Sequence, residues 1–369
     1  MAAPKNFPVR VGIIGAGLIG RVHSMMLQQV AKRTHGSVRV AAVADVARAA
    51  AEGLAMHWPD ARVGASAEEV IADPSIDAVW ICTPTRHHRD ACVAAARAGK
   101  HVFAEKPLAM TAAQAQEMAD AIGRAGVLSQ VGLVLRFSPI YTVMRALLGE
   151  PEAGRPLAVV MRDDQDFPIR GVHASGWRND PSLTAGGTLV EHSVHDFDLL
   201  RWMCGQVQRL SCRTRNLRGA RGVEDFASVE FEFAAGFSAH LTSVWHQMIG
   251  RPSNRRLEIF AENLFIASDF DSTGTIIVQR RDGPEEIFDE GEVMRRFEQI
   301  LLAERPYLAP VKELLAMPYA LEDAAFLAAL RGECKSDPEF SAGVIAQRMV
   351  EAAYDSARSG AVVALDNQS

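Results

Sequence analysis

The chain has little of anything that would take its 369 residues out of the ordinary globular class. Its five cysteines (Cys82, Cys92, Cys204, Cys212, Cys334) are odd in number and include no C-x-x-C pair. That excludes a disulfide framework and a cysteine zinc site, and it suits a reducing compartment. No stretch approaches the roughly 20 uninterrupted apolar residues that a spanning helix needs. The opening MAAPKNFPVRVG has no apolar core of a cleavable signal and runs quickly into a strand-like segment. Neither sign of charge dominates: 39 Lys and Arg stand against 45 Asp and Glu, a net charge of -6. The arginines are scattered among carboxylates, so no basic stripe attracts nucleic acid or anionic membrane. There is no low-complexity tract and no internal repeat. The expectation is a cytoplasmic protein without nucleic-acid or membrane partners.

What is present is a globular composition, 48% hydrophobic and 23% charged, at a length that calls for about two domains. Apolar runs at Val9–Ile14, Val38–Ala44, Ala78–Cys82, His101–Ala104 and Val127–Leu135 lack polar alternation and read as strands buried on both faces. Helical stretches lie between them, at Leu18–Val30, Ala47–Met56, His88–Ala98 and Thr111–Ala125, the last capped by Thr111 with Gln114 three residues on. This order describes an α/β doubly wound parallel sheet over residues 1–135. After Arg136 the strands alternate and are joined by turns such as Ala235-Gly236 and Asp282-Gly283. Helices are expected at Val190–Met203, Glu292–Ala303, Leu321–Ala329 and Ala342–Arg358. Residues 136–369 therefore read as an α+β domain on a mostly antiparallel open sheet, its last helix able to pack back toward the first domain.

The first chemical signal is Gly15-Ala16-Gly17-Leu18-Ile19-Gly20, directly after a strand and opening a helix. Gly15 permits the tight turn, Gly17 lets backbone approach a pyrophosphate, and Gly20 lets the helix pack closely on the strand. The helix N-terminus, with Leu18 and Ile19 in its first turn, offers unpaired N–H groups to phosphates. That combination reads as the Rossmann dinucleotide site, against the alternative of an unoccupied structural turn. Asp45 ends the second strand 25 residues after Gly20. A carboxylate there accepts from the adenosine ribose hydroxyls and repels a 2′-phosphate, which favours NAD over NADP. The competing reading makes Asp45 a cap for the helix at Ala47, and Arg48 is close enough to soften the charge discrimination. Thr83, Pro84 and His88, in the loop Cys82-Thr83-Pro84-Thr85-Arg86-His87-His88, are further candidate cofactor contacts, as is Glu105.

Glu105-Lys106-Pro107 ends the fourth strand at the carboxyl edge, where open α/β sheets bind ligands. An ammonium there can stabilise the oxygen charge that develops as a hydride leaves a carbinol. The bland alternative is a surface lysine before a helix-breaking proline. Farther on, Glu191, His195 and Asp198 share a helical face at i, i+4, i+7. A carboxylate one turn from an imidazole fixes its tautomer and raises its basicity, as a general base requires. His195 as a satisfied core histidine competes with that reading. A metal held by Glu191, His192 and His195 is not expected, because a sheet-packed helix rarely turns both histidines to one ion. Arg136, Trp177 and Arg178 are candidate substrate contacts, an indole face suiting a sugar's C–H side and a guanidinium its hydroxyls. Asp163, Asp164, Gln165 and Asp166 read as a solvated polar loop.

Taken in order, VGIIGAGLIG, the strand-end aspartate, CTPTRHH, AGKHVFAEKP, GGTLVEHSVHDFDLLRW and the closing SAGVIAQRMVEAAYDSARSG resemble the glucose–fructose oxidoreductase, inositol dehydrogenase and rhizopine-catabolism family, Gfo/Idh/MocA. The resemblance covers essentially the whole chain. It implies an NAD-dependent dehydrogenase of a sugar, sugar derivative or inositol, acting as a homodimer or homotetramer. It places Glu105 and Lys106 beside the nicotinamide, before a peptide that is often cis, and the catalytic histidine at His195. Glu191 stands where many members carry aspartate, and is open to orienting His195, to contacting substrate, or to both. The same machinery also serves NAD-retaining glycosidases, and non-enzymatic nucleotide-sensing regulators exist among look-alikes.

Overall fold

Short β-branched runs alternate with alanine-rich stretches through the first third of the chain, and this alternation produces parallel strands covered by helices. The computed structural model describes residues 8–168, 175–219, 222–248, 250–271 and 273–365, so the first seven residues of MAAPKNFPVRVG lie outside the described residues. Two compact units form: Met1–Val134 with Arg305–Val344, and Leu135–Glu304 with Ile345–Ser369. The sequence reading makes a single cut after 135 and assigns 305–344 to the second part. No helix among the described residues is long and apolar enough to cross a membrane.

Unit 1 is built on β1 (Val9–Ile14), β2 (Val38–Ala44), β3 (Arg62–Val63), β4 (Ala78–Ile81), β5 (His101–Ala104) and β6 (Ser129–Val131), joined by α1 (Leu18–Arg33), α2 (Arg48–Ala55), α3 (Ala67–Ala72), α4 (His88–Arg97) and α5 (Ala112–Ala125). The sheet is parallel, in the order β3-β2-β1-β4-β5-β6. Strand order reverses between β1 and β4, which makes their carboxyl ends the topological switch point. Thr111 caps α5 by accepting from the Gln114 N–H at 3.2 Å. The short β3 and α3 carry too few residues for a periodic signal, and the sequence reading missed them. The expected strand over Val127–Leu135 pairs only at Ser129–Val131, after which the chain tightens into a 3-10 turn at Val134–Phe137.

Helix α10 (Pro318–Leu330) explains why 305–344 belongs to unit 1. Every residue from Ala320 to Leu330 is buried, so the helix must be enclosed on all sides. It packs along α1, and Phe326 lies edge-on to Trp80, ring centres 5.4 Å apart. Trp80 in turn stacks on Phe103 at 5.5 Å.

Unit 2 contains α6 (Pro139–Leu148), β7 (Pro156–Asp166), α7 (Thr188–Glu191), α8 (Val194–Cys204), β8 (Val207–Arg215), β9 (Phe226–Phe233), β10 (Ser238–His246), β11 (Asn254–Ala261), β12 (Leu264–Ser268), β13 (Ile276–Arg280), β14 (Glu285–Phe288), α9 (Glu290–Glu304) and β15 (Val363–Ala364). The last helix, α11 (Phe340–Ser359), gives its first residues to unit 1 and the rest to unit 2. The strands form one sheet in the order β14-β13-β12-β11-β7-β10-β9-β8-β15, antiparallel except where β7 runs alongside β10. Burial alternates along β9, β10 and β11, as a sheet covered on one face requires. Phe231 on the inner face meets Phe197 of α8, ring centres 4.9 Å apart. Val160, Phe260 and Ile287 are exposed on the strands.

The closest backbone approach in unit 1 lies at the glycine loop: a Cβ on Gly20 would stand 2.0 Å from the Gly15 carbonyl oxygen. Gly20→Ala should lower the free energy of unfolding in urea by about 1–3 kcal/mol through overpacking. Gly53→Ala is the control, since a Cβ there meets nothing within 4 Å. That substitution should be neutral or stabilising by up to about 1 kcal/mol, because alanine is the better helix former.

Candidate active-site residues

In unit 1 the cofactor candidates follow four adjacent strands, β2, β1, β4 and β5. Gly15 turns the chain out of β1 with φ +98, and a Cβ there would come within 2.6 Å of the Cys82 carbonyl oxygen. Gly17 faces open space, with nothing within 4 Å of where a Cβ would stand, so a phosphate can reach the backbone at the start of α1. Leu18, 38% exposed, and the half-buried Ile19 follow in the first helical turn. Asp45 is split between two backbone donors: Oδ2 accepts from the Ala16 N–H at 2.6 Å and Oδ1 from the Ala47 N–H at 2.7 Å. Its cap-like contact and its place beside the glycine loop thus coexist. Arg48 is occupied by Glu52, 2.8 Å away.

Beyond β4, Thr83 Oγ1 is buried with no hydrogen-bond partner among the described residues, and Pro84 leads into the 3-10 turn Thr85–His87. An orphan hydroxyl at the switch point, an unobstructed Gly17 and a carboxylate at the end of β2 together fit a dinucleotide. His88, an expected cofactor contact, has its ring turned to backbone carbonyls. It is buried, and its Nδ1 and Nε2 stand 2.9 and 2.8 Å from the carbonyl oxygens of Pro107 and Thr83. It therefore ties the loop after β4 to the loop after β5. Glu105 is also turned inward, one oxygen on His23 and the other accepting from the Lys106 N–H at 3.1 Å. Lys106 is half-buried at the end of β5, and the Lys106–Pro107 peptide is cis.

In unit 2 the expected helix over Val190–Met203 is interrupted. The chain completes one turn as α7, leaves helical geometry at His192 (φ -121, ψ -61) and restarts as α8 at Val194. Glu191, His195 and Asp198 therefore do not share one continuous helical face. Glu191 accepts from the Ala185 N–H at 3.2 Å and lies 3.7 Å from Arg178 Nε. The Arg178 guanidinium sits over the Trp177 ring at 4.8 Å, so Trp177, Arg178 and Glu191 come together. His195 is buried in the first turn of α8.

Arg136 is buried, and its guanidinium forks onto Asp198 at 2.8 and 2.6 Å. Asp163 to Asp166 are not a solvated loop but the end of β7. Asp163 is buried, 3.5 Å from His192 Nε2, and Ser193 Oγ donates to it at 3.0 Å. Burial pushes the Asp163 carboxyl well above its usual range, with Arg255 opposing the shift.

Glu224 was missed altogether. Its carboxylate accepts from the N–H groups of Gly187 and Leu189, at 2.8 and 2.9 Å, and from the Tyr354 hydroxyl at 2.9 Å. It thus caps the turn that carries Glu191. No local pattern announces it, because it arrives from a loop 37 residues beyond Gly187.

A parallel sheet with this glycine loop at its switch point has the architecture of a dinucleotide-binding domain. Residues 9–133 match the oxidoreductase family with the NAD-binding Rossmann fold, Gfo/Idh/MocA, and residues 141–266 match that family's C-terminal domain. The chain belongs to this family and is an NAD-binding oxidoreductase. It is 32% identical to 1,5-anhydro-D-fructose reductase of Ensifer adhaerens, over 62% of this chain and 67% of that protein. Against myo-inositol 2-dehydrogenase of Thermotoga maritima identity is 26%, over 74% and 79% of the two chains. Levoglucosan dehydrogenase, solved with NADH and levoglucosan, shares the fold with a TM-score of 0.83 at 22% identity, covering 97% of this chain and 100% of that one.

If the Asp45 carboxylate binds the adenosine ribose, Asp45→Ser removes a charged hydrogen bond worth about 1.5–3 kcal/mol. Fluorescence titration should show NADH binding weakened by about tenfold or more, and NADPH gaining relative to NADH. An unchanged NADH to NADPH ratio would mean that Asp45 serves the protein backbone only.

Proposed function

We propose that this protein oxidises a secondary hydroxyl of a sugar, a sugar derivative or an inositol, with Lys106 and His195 in the acid/base roles. The observation that carries the reading is the carboxyl edge of the parallel sheet, where the glycine loop, Thr83 and Lys106 end β1, β4 and β5 side by side. NAD, when bound, supplies the hydride acceptor. The Lys106 ammonium donates to the reacting oxygen and stabilises its developing charge. His195 takes the hydroxyl proton, while Glu191, on the separate turn before α8, faces Arg178. The polyhydroxylated substrate class is supported by relatives named for inositol and anhydrofructose chemistry.

The test is a screen of inositols, aldoses, glycosides and nucleotide sugars with NAD and NADP in parallel, following NADH absorbance. On the substrate so found, Lys106→Ala and His195→Ala should each lower kcat/KM by about 10²- to 10⁴-fold. Near-normal turnover by either variant would remove that residue from the mechanism. Product formed without net NADH would identify the NAD-retaining glycosidase reaction.

The outer sheet face supports a homodimer or homotetramer. Phe260 packs on Phe265 with ring centres 4.8 Å apart while remaining 42% exposed, and Val160 and Ile287 are exposed on other strands. Phe260→Asp should shift the protein toward the monomer in sedimentation velocity. An unchanged monomeric wild type would end this part of the proposal. A cytoplasmic address fits the five free thiols.

A further inference from the structure

His23 lies on α1 three residues after Gly20 and is wholly buried. Its Nδ1 stands 2.9 Å from Asp323 Oδ1 and its Nε2 stands 3.0 Å from Glu105 Oε1. A neutral imidazole has one N–H and can satisfy only one of these carboxylates; a ring protonated on both nitrogens satisfies both. The surroundings fix it further. Asp323 Oδ1 also accepts from the Trp80 indole at 2.8 Å, and the rings of Phe103 and Tyr319 meet the imidazole edge-on. Glu105 Oε1 fills the space left by the missing side chain of Gly132, where a Cβ would stand only 2.7 Å from it. Its other oxygen holds the Lys106 N–H.

We infer that His23 is a positioning residue: an imidazolium locked between Asp323 and Glu105 that fixes the Glu105–Lys106 turn at the carboxyl edge of the parallel sheet. The inference deepens the proposed function and rests on it for the importance of Lys106. The contacts join three separate stretches of chain: the helix opened by the glycine loop, the end of β5, and α10. His23, Glu105 and Glu322 also lie close enough for one atom of each to surround a cation. The ring nitrogens, however, already face carboxylates on both sides.

Other charges reach this group. Glu322 on α10 is wholly buried with both carboxylate oxygens lacking hydrogen-bond partners among the described residues, and burial raises its pKa well above the usual range. Burial also raises Asp323, and both Glu105 and Asp323 act on the Cys82 thiol. Arg305 acts on Glu322. For His23, burial alone would lower the pKa, but Asp323 and Glu105 together raise it well above 6.5. The stabilisation from this ion cluster is therefore fully present below about pH 6.5 and is lost as pH rises through the elevated folded-state value. Glu322 titrates in the same direction, so Glu322→Gln is the control for its share.

The experiment measures Tm and the NADH dissociation constant from roughly pH 6 to pH 10 for wild type, His23→Gln, Glu105→Gln and the double variant, with metal analysis of the purified wild type. His23→Gln should flatten the alkaline fall in Tm and weaken NADH binding by about three- to tenfold, and the double variant should bind no worse than the weaker single one. On a turned-over substrate kcat should fall more than KM rises. Additive losses, or a lowered Tm with unchanged NADH binding, would overturn the inference. So would a stoichiometric divalent metal in wild type that His23→Gln loses, since His23 would then be a ligand. If His23→Gln fails to fold, Asp323→Asn loosens the same clamp from the other side and is read by the same criteria. NADH binding needs no substrate. Normal turnover by Lys106→Ala would therefore sink the proposed function without touching the coupling of His23 to Glu105, and the converse holds.

Discussion

The contact between the Gly15 carbonyl and the α-carbon side of Gly20 sets the distance from which the rest of unit 1 is built. With no side chain at Gly20, α1 drops onto the edge of β1 and β4 closely enough that a Cβ would leave only 2.0 Å to the oxygen. One helical turn later His23 reaches Glu105 at the end of β5 with one ring nitrogen and Asp323 of α10 with the other. Lifting α1 by the width of a methyl group would pull His23 from Glu105 and open the packing of Phe326 on Trp80 and Phe103. A dinucleotide loop is usually explained by what the ligand needs. Here the same glycines also decide whether the interior of the domain closes.

Each unit buries charge, and burial is costly unless every charged group finds partners. In unit 2 the centre is Arg255, whose guanidinium lies 2.6 Å from Asp196, 3.0 Å from Asp271 and 3.4 Å from Asp163. Arg136 forks onto Asp198. Hydrophobic replacements of similar shape could be as stable, so these pairs are poor evidence for stability as such. Their value is geometric. Asp196 and Asp198 lie on either side of Phe197 in the first turns of α8 and are held by arginines from β11 and from the chain before α6. His195 directly precedes Asp196, so the turn that carries it is anchored from two directions.

Much of unit 1 was legible because its signals are local. Parallel strands buried on both faces declare themselves as apolar runs, and β1, β2 and β5 have the bounds read from sequence. Glycine spacing and the strand-end aspartate work within some thirty residues. The return of 305–344 to unit 1 was illegible because α10 is apolar on nearly every side and has no periodic face to name its partner. Two acids, Glu322 and Asp323, in the middle of that apolar helix were the available signal, together with a histidine on the buried face of α1. Pairing them requires knowing that residues 300 apart in sequence meet. Glu224 is a harder case, since nothing beside it in sequence points to a helix start.

The EHSVHD segment shows why spacing misleads where a helix restarts. Residues at i and i+4 face one another only if the hydrogen-bond ladder runs unbroken between them. Here Ser193 is drawn to Asp163 and Ser243, and Thr188 to Ser243, so side-chain bonds to β7 and β10 compete with helical continuation. The ladder yields at His192. Glu191 is then left on a separate turn, capped by Glu224, with its carboxylate toward Ala185 and Arg178. The extra methylene of glutamate over aspartate is what lets a side chain on α7 reach both of these. The longer acid thus ties the Trp177–Arg178 loop to the helix entry.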